Sequence, residues 1–291
     1  FDAVVGNPPW DRFEFEEVPW FEARDKSIAL ARSGAKGKTA IKDLKDNEAG
    51  LWQDYQKAVR RMAMATRIAK GSFIYSRLNK GKLNLYKLFV ERAHRLVKPD
   101  GVVGLLTPSG IASDLSSSVF FRKVATGSHV KALYDFENRR TRFGLEPFFP
   151  DVDSRFKFMA MMASPSRTFD AAHCGFFLQA VSELANPDQA FPITAADFAR
   201  VNPNTGTAPI FRTRRDMELT TAIYARVPVL VDRSGGEEVK SWPVKYAQMI
   251  NMTSDSHLFR TRAELEEQEG AWHIGGNRWQ SAAGEWVPLY E

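Results

Sequence analysis

The chain of 291 residues is long enough for one large domain or two ordinary ones, and its 44% hydrophobic and 26% charged residues exclude a disordered or low-complexity protein. No apolar run approaches the roughly 20 residues of a membrane helix, which leaves the cytoplasm as the expected compartment. The net charge of +5 favours a polyanionic partner, and the single Cys174 together with the scattered His94, His173, His257 and His273 offers neither a disulfide nor a metal-ligand spacing, so no metal is expected.

In chain order, the apolar run Phe1 to Val5 predicts a buried strand. It must stop at Gly6, Asn7, Pro8, Pro9 and Trp10, because two prolines cannot continue a strand ladder. A core strand at the first residue, without an initiator methionine, is expected of a piece of a longer protein. Residues 11 to 50 mix aromatics, acids and Gly-Lys pairs without a sustained period, which predicts a long, partly ordered insertion above the strand ends. From Leu51 to Ala69 apolar residues recur at three-to-four spacing, the pattern of an amphipathic helix. Its other face is cationic: no acid occurs between Asp54 and Glu91, whereas Arg60, Arg61, Arg67 and Lys70 all lie there.

Residues 83 to 97 give a second amphipathic helix, closed by Lys98, Pro99, Asp100 and Gly101, and Val102 to Leu106 is an apolar strand. A helix over 116 to 124 follows. Strands over 130 to 139 and 156 to 164 are joined by a loop, Arg139 to Arg155, that carries Arg139, Arg140 and Arg142 and then Phe148, Phe149 and Pro150. Alternating helices and strands predict an α/β unit with a mostly parallel sheet, and the last pair, lacking an intervening helix, is expected as an antiparallel hairpin at the sheet edge. Composition shifts after Pro165. Beyond it an irregular α+β module is expected, with the basic cluster Arg212, Arg214 and Arg215 and four tryptophans.

The loop on the first strand answers a chemical need. Ligands of open α/β sheets bind beyond the carboxyl ends of the strands. An exocyclic amine on a base or amide is a poor nucleophile because its lone pair is delocalised, and acceptors that hold its two hydrogens raise the electron density on nitrogen. The Asn7 side-chain oxygen and the Pro8 carbonyl are such acceptors, and the prolines keep them aimed. Trp10 offers a flat face on which a base can stack, worth about 1 to 3 kcal/mol.

Asn7-Pro8-Pro9-Trp10 resembles the [N/D/S]-P-P-[Y/F/W] catalytic motif of S-adenosylmethionine-dependent amino-methyltransferases, in the Asn form typical of N6-adenine DNA methyltransferases. The run Asn84-Leu85-Tyr86 through Leu96, Lys98, Pro99 and Gly101, with Val102 to Pro108, resembles the helix-strand segment after the catalytic loop in the gamma-type enzymes. Phe149-Pro150 resembles the segment whose aromatic packs on the other face of the extruded adenine. Asn202-Pro203-Asn204-Thr205 with Phe211 to Asp216, and Met252 to Phe259, resemble the region following the catalytic domain in type IIG restriction-modification and phage-defence methyltransferases.

The resemblance implies the C-terminal half of a Rossmann-like methyltransferase sheet over residues 1 to 165 and the start of a DNA target-recognition module over 166 to 291. It implies S-adenosylmethionine as cofactor and double-stranded DNA as partner. The catalytic residues would be Asn7, Pro8, Pro9 and Trp10, with Trp10 and Phe149 stacking on the base. The arginines and lysines named above would contact DNA. In the family the cofactor is held by a glycine-rich turn and acids ahead of the catalytic loop, so no residue of this chain is expected to bind it, and the chain by itself is expected to be inactive. The loop alone does not name its substrate. Protein-glutamine and some ribosomal-RNA methyltransferases share it, and a DNA-binding module without catalysis is a third reading; the basic stretch points to DNA.

Overall fold

The computed structural model describes residues 1–30, 34–245 and 247–289, in two compact units, Phe1–Ser241 and Trp242–Glu291. In the first unit β1 (Ala3–Gly6) leads into the Asn-Pro-Pro-Trp loop, and α1 (Glu17–Glu22), α2 (Lys26–Leu30), α3 (Gly34–Asn47) and α4 (Ala49–Gly71) follow. The stretch expected as a partly ordered insertion is therefore helical over much of its length. Its apolar residues show no period because each short helix contributes only one or two of them to a separate small core of Phe21, Ile28, Ala29, Leu44 and Tyr55. Tyr55 stacks on Phe21 at 5.4 Å and donates its hydroxyl to Glu17 at 2.6 Å. Burial, and then the bond to Glu17, push its phenol up to about 12.

Helix α5 (Leu85–Leu96) buries Tyr86, Val90 and Ala93 on one face, the three-to-four spacing read from the sequence. Pro99 then forces the chain out of helix, and Gly101 turns it into β2 (Val102–Pro108). A Cβ at Gly101 would stand 2.7 Å from the Asp2 carbonyl oxygen, so only glycine lets this turn pass beside β1. After β2 come α6 (Gly110–Ser113), α7 (Ser118–Thr126), β3 (Val130–Glu137), β4 (Lys157–Ala163), β5 (Ala172–Leu178) and β6 (Ala190–Ile193).

The six strands form one sheet in the order β1-β2-β4-β3-β5-β6. β1 runs parallel to β2 and β3 parallel to β5, while β4 is antiparallel to both β2 and β3, and β6 is antiparallel to β5. The chain is thus α/β, as expected, but the sheet is mixed rather than mostly parallel, with three of its five pairings antiparallel, and the β3–β4 hairpin lies inside it rather than at the edge. The sequence of β4 explains this. Met159 and Met161 pack into the main core while Phe158 packs into a second cluster on the other side, so β4 is apolar on both faces, which suits a strand in the middle of a sheet covered on both sides. β1, expected as a buried strand, is instead exposed at Ala3 and Val5, because among the described residues it pairs on one side only.

The expected boundary at 165/166 does not divide the compact units. β5 and β6 extend the same sheet past it, and α8 (Ala195–Val201) packs on α7 through Phe198 against Phe121 at 5.8 Å. The apolar alternation of β5 is what draws this segment into the core: Cys174, Phe176 and Leu178 are all buried. Helix α9 (Arg214–Arg226) follows. Thr194 with Asp197 and Thr213 with Asp216 form reciprocal caps at the starts of α8 and α9, each such cap being worth about 1 kcal/mol. A small hairpin of β7 (Val231–Asp232) and β8 (Val239–Lys240) ends the unit.

In the second unit α10 (Arg262–Glu267) precedes an antiparallel meander of β9 (Trp272–Gly275), β10 (Arg278–Ser281) and β11 (Gly284–Trp286). No described helix is long and apolar enough to cross a membrane.

Candidate active site at the strand ends

Residues 7 to 10 leave the carboxyl end of β1, where Gly6 pairs with Leu105 of the parallel β2. Pro8 is buried, Asn7 and Pro9 are exposed, and Trp10 is half-buried. Pro8 has no N–H to leave unpaired when it is buried, so its carbonyl is the one backbone polar group that remains. The Asn7 carboxamide makes no hydrogen bond to a described residue. Trp10 is anchored at its polar corner, where Nε1 donates to the Leu106 carbonyl at 3.3 Å. Its ring stacks toward Phe158 at 6.3 Å and meets Phe149 edge-on at 5.5 Å.

Phe149 thus lies beside Trp10, from a loop more than a hundred residues further along the chain. The two rings do not form the walls of a base slot. Two parallel walls need about 7 Å, twice the usual contact distance, whereas an edge-on pair at 5.5 Å closes that space. What fixes Phe149 is Asn138, only 1% exposed. Its Oδ1 accepts from the Phe149 N–H at 2.9 Å, and its Nδ2 donates to the carbonyls of Phe149 and Val152 at 2.9 and 3.1 Å. Phe148, the other aromatic of that loop, packs on Phe136 and Phe158, each at 5.3 Å.

The exit of the loop is held by the start of α5. The Asp11 carbonyl accepts from Leu85 N at 2.9 Å, Phe13 N donates to the Leu83 carbonyl at 2.8 Å, and Arg12 bridges to Asn84. Asn84 sits at the N-cap position without a side-chain capping bond, so its part is played by backbone. Tyr86 is buried under this junction, and burial, with the Asp114 charge second, pushes its phenol up. Lys87 is buried as well and donates to Ser116 Oγ at 2.7 Å; burial lowers its ammonium against the pull of Asp114.

A polar group not singled out in the sequence lies along the carboxyl ends of β2 and β3. Ser109 donates to Asp135, a residue only 1% exposed, and Lys157 stands 3.7 Å from the other oxygen, which has no hydrogen bond. Burial raises the Asp135 carboxyl, and Ser109 and Lys157 only partly offset it. Burial works against ionisation of Glu137 too, but bonds from Arg139 and Gln179 outweigh it and lower that carboxyl.

The basic residues fall into two kinds. On α4, Arg60, Arg61, Arg67 and Lys70 are exposed and make no ion pair with a described residue. The loop arginines are engaged: Arg139 with Glu137, Arg140 with Glu146 and Arg142 with Glu183. Arg212 lies over the Phe177 ring at 4.3 Å, while Arg214 and Arg215 sit in the first turn of α9 and make no ion pair with a described residue. No Gly-x-Gly turn follows a strand of the sheet.

Among solved structures the chain is similar to a type I restriction-modification methyltransferase subunit from Streptococcus thermophilus, with 11% identity over 71% of this chain and 37% of that one and a TM-score of 0.38. It is similar in the same limited way to DrdV in a complex with DNA, with 16% identity over 63% of this chain and 15% of that one and a TM-score of 0.33. The type IIG restriction endonuclease BpuSI gives 12% identity over 57% of this chain and 18% of that one, with a TM-score of 0.30. The chain therefore spans 37% or less of the length of these proteins. No curated protein matches it. The Eco57I restriction-modification methylase family matches residues 55–143, which run from α4 through α5, β2 and β3. The resemblance read in the residues, to a restriction-modification methylase, stands on this match over residues 55–143.

Proposed function

We propose that the chain carries the amine-gripping part of a DNA methyltransferase that acts on N6 of adenine. The observation that carries this reading is Asn7: exposed and unpaired, followed by a buried and an exposed proline at the carboxyl end of a parallel strand, with an anchored indole three residues on. The match to a restriction-modification methylase supports DNA as the substrate, and so does the unpaired cationic face of α4.

Chemically, Asn7 Oδ1 and the Pro8 carbonyl would accept the two hydrogens of the exocyclic amine and raise the electron density on nitrogen; a sulfonium donor would supply the methyl group and leave as a neutral thioether, with one amine hydrogen lost as a proton. The target adenine leaves the duplex for this, at an unstacking cost of a few kcal/mol. It stacks on Trp10 once Phe149 has moved from edge contact. The arginines and lysines of α4 hold phosphates, which makes affinity fall with salt. The family implies S-adenosylmethionine as methyl donor, but the described residues supply no glycine-rich turn beside the loop. This chain's contribution is therefore the acceptor side of the reaction, and no residue here is assigned to the cofactor.

The test is methyl transfer from S-adenosylmethionine to duplex DNA by the protein that carries this chain, followed by digestion to nucleosides and mass spectrometry. N6-methyl-2'-deoxyadenosine is expected, reduced about 100-fold or more by Asn7→Ala with duplex affinity retained. Label in protein or RNA, N4-methylcytosine, or full turnover by Asn7→Ala overturns the reading. An absence of all transfer with tight duplex binding favours a DNA-binding module without catalysis.

A further inference from the structure

A second polar site lies at the opposite end of the sheet from the Asn-Pro-Pro-Trp loop. Between α5 and α7, beneath the amino ends of β2 and β3, is a cavity of about 170 Å³ lined by Arg77, Glu91, His94, Arg95, Lys123 and His129. We propose that this cavity binds a small tetrahedral oxyanion of the phosphate class.

The hydrogen-bond inventory carries the argument. His94 Nδ1 lies 2.9 Å from the Val90 carbonyl, and a carbonyl only accepts, so Nδ1 bears the hydrogen. Nε2 is buried and has no partner. A buried polar atom left unpaired costs about 1 to 3 kcal/mol, so the site is built for something that reaches it. His129 repeats the pattern, with Nδ1 3.0 Å from the Arg167 carbonyl and Nε2 unassigned. Gly127 makes room for that ring, since a Cβ there would come within 2.6 Å of it.

The charge points to an anion. Glu91, the one acid, is already taken up: its oxygens accept from the N–H groups of Arg77 and Leu78 at 3.1 and 2.9 Å. The Arg77 guanidinium and the Lys123 ammonium make no ion pair or side-chain hydrogen bond with a described residue. Arg95 gives Nε to the Ile74 carbonyl at 2.9 Å and Nη2 to the Phe73 carbonyl at 2.6 Å, leaving Nη1. Donors therefore outnumber acceptors, the composition that fits phosphate oxygens. Burial, and secondarily the charge of Arg77, hold the His94 imidazole below its ordinary value. An anion beside it reverses that balance, so Nε2 takes up a proton and becomes a donor to the bound oxygen. A space of about 170 Å³ has room for a phosphate.

The experiment follows the histidine ring nitrogens of the uniformly 15N-labelled 291-residue chain by long-range 1H–15N correlation. Inorganic phosphate, a nucleoside monophosphate and chloride are titrated separately at matched ionic strength. Phosphate is expected to move His94 saturably toward the imidazolium form, with a Kd of about 1 mM or below, and chloride is expected to leave it unchanged. Tighter binding of the nucleoside monophosphate assigns the site to a nucleotide's phosphate; equal or weaker binding assigns it to the free anion. Arg77→Gln and Lys123→Gln should each weaken binding at least about tenfold without moving the thermal unfolding midpoint. An unsaturable response, the same response to chloride, or wild-type affinity in both variants overturns the proposal.

Discussion

Asp135 is where burial and charge oppose each other most directly. Its carboxyl is almost wholly removed from water, receives one hydroxyl and one distant ammonium, and leaves an oxygen unbonded. Its folded-state pKa is raised above the ordinary 3.8, with burial as the first cause. The folded protein therefore holds a proton at pH values where the unfolded chain has lost it, and stability from this group is greatest below 3.8 and is lost as pH rises through the folded value. Asp135→Asn, which keeps the shape and an acceptor for Ser109, should be more stable than the parent at pH 7, with the gain shrinking as pH falls toward 4. Urea unfolding across that range reads it, and a variant less stable at pH 7 than its parent would show that pairing with Lys157 outweighs burial. None of this was legible in the sequence. Asn7, Pro8, Pro9 and Trp10 announce themselves because their chemistry lies in four consecutive residues. The partners of Asp135 are supplied by the residue after β2 and by β4, and those of Asn138 by a loop with no period, so neither residue carries a local signature.

Among the elements, the long periodic ones were readable almost to their ends. The helix read over 83–97 is Leu85–Leu96, and the strand read over 130–139 is Val130–Glu137. What pattern could not supply was neighbours. The apolar run of β4 is the same string whether it lies at an edge or between β2 and β3, so pattern alone does not place it. Pairing likewise separates the basic clusters, which composition had treated alike. Arg60, Arg61, Arg67 and Lys70 of α4 stand unpaired, whereas Arg139, Arg140 and Arg142 each meet a carboxylate. Neutralising one phosphate contributes about 0.9 to the slope of log affinity against log salt. Changing the four α4 cations to glutamine should therefore flatten that slope for duplex DNA by up to about 3 to 4. Changing the three loop arginines should flatten it by less, because their charge is already balanced within the fold. Filter binding or fluorescence anisotropy from low to moderate salt decides it, and equal flattening by both sets would remove the distinction.

For the molecule as a whole, the two compact units differ in what holds them. Phe1–Ser241 has a continuous core on the sheet, with Phe120, Phe121, Leu133, Met161 and Phe191 all at 1% exposure or less. In Trp242–Glu291 the buried apolar residues among those described are Leu265 and Ala271, while Trp242, Met249, Trp272 and Val287 are largely exposed. At about 25 cal/mol per Å² of apolar surface buried, so few side chains cannot offset the ordering of some fifty residues at about 1 to 2 kcal/mol each for backbone alone. The core of the first unit, by contrast, is complete without them. A protein ending at Ser241 should therefore unfold cooperatively with a midpoint within a few degrees of the 291-residue chain, a shift of a few degrees corresponding to about 1 kcal/mol for a domain of this size. The segment from Trp242 onward, made alone, should show no near-ultraviolet circular dichroism and no protected amides. Loss of cooperative unfolding on removing it would instead show that the sheet depends on that segment for its stability, and protected amides in the isolated segment would show a core that its side-chain burial does not reveal.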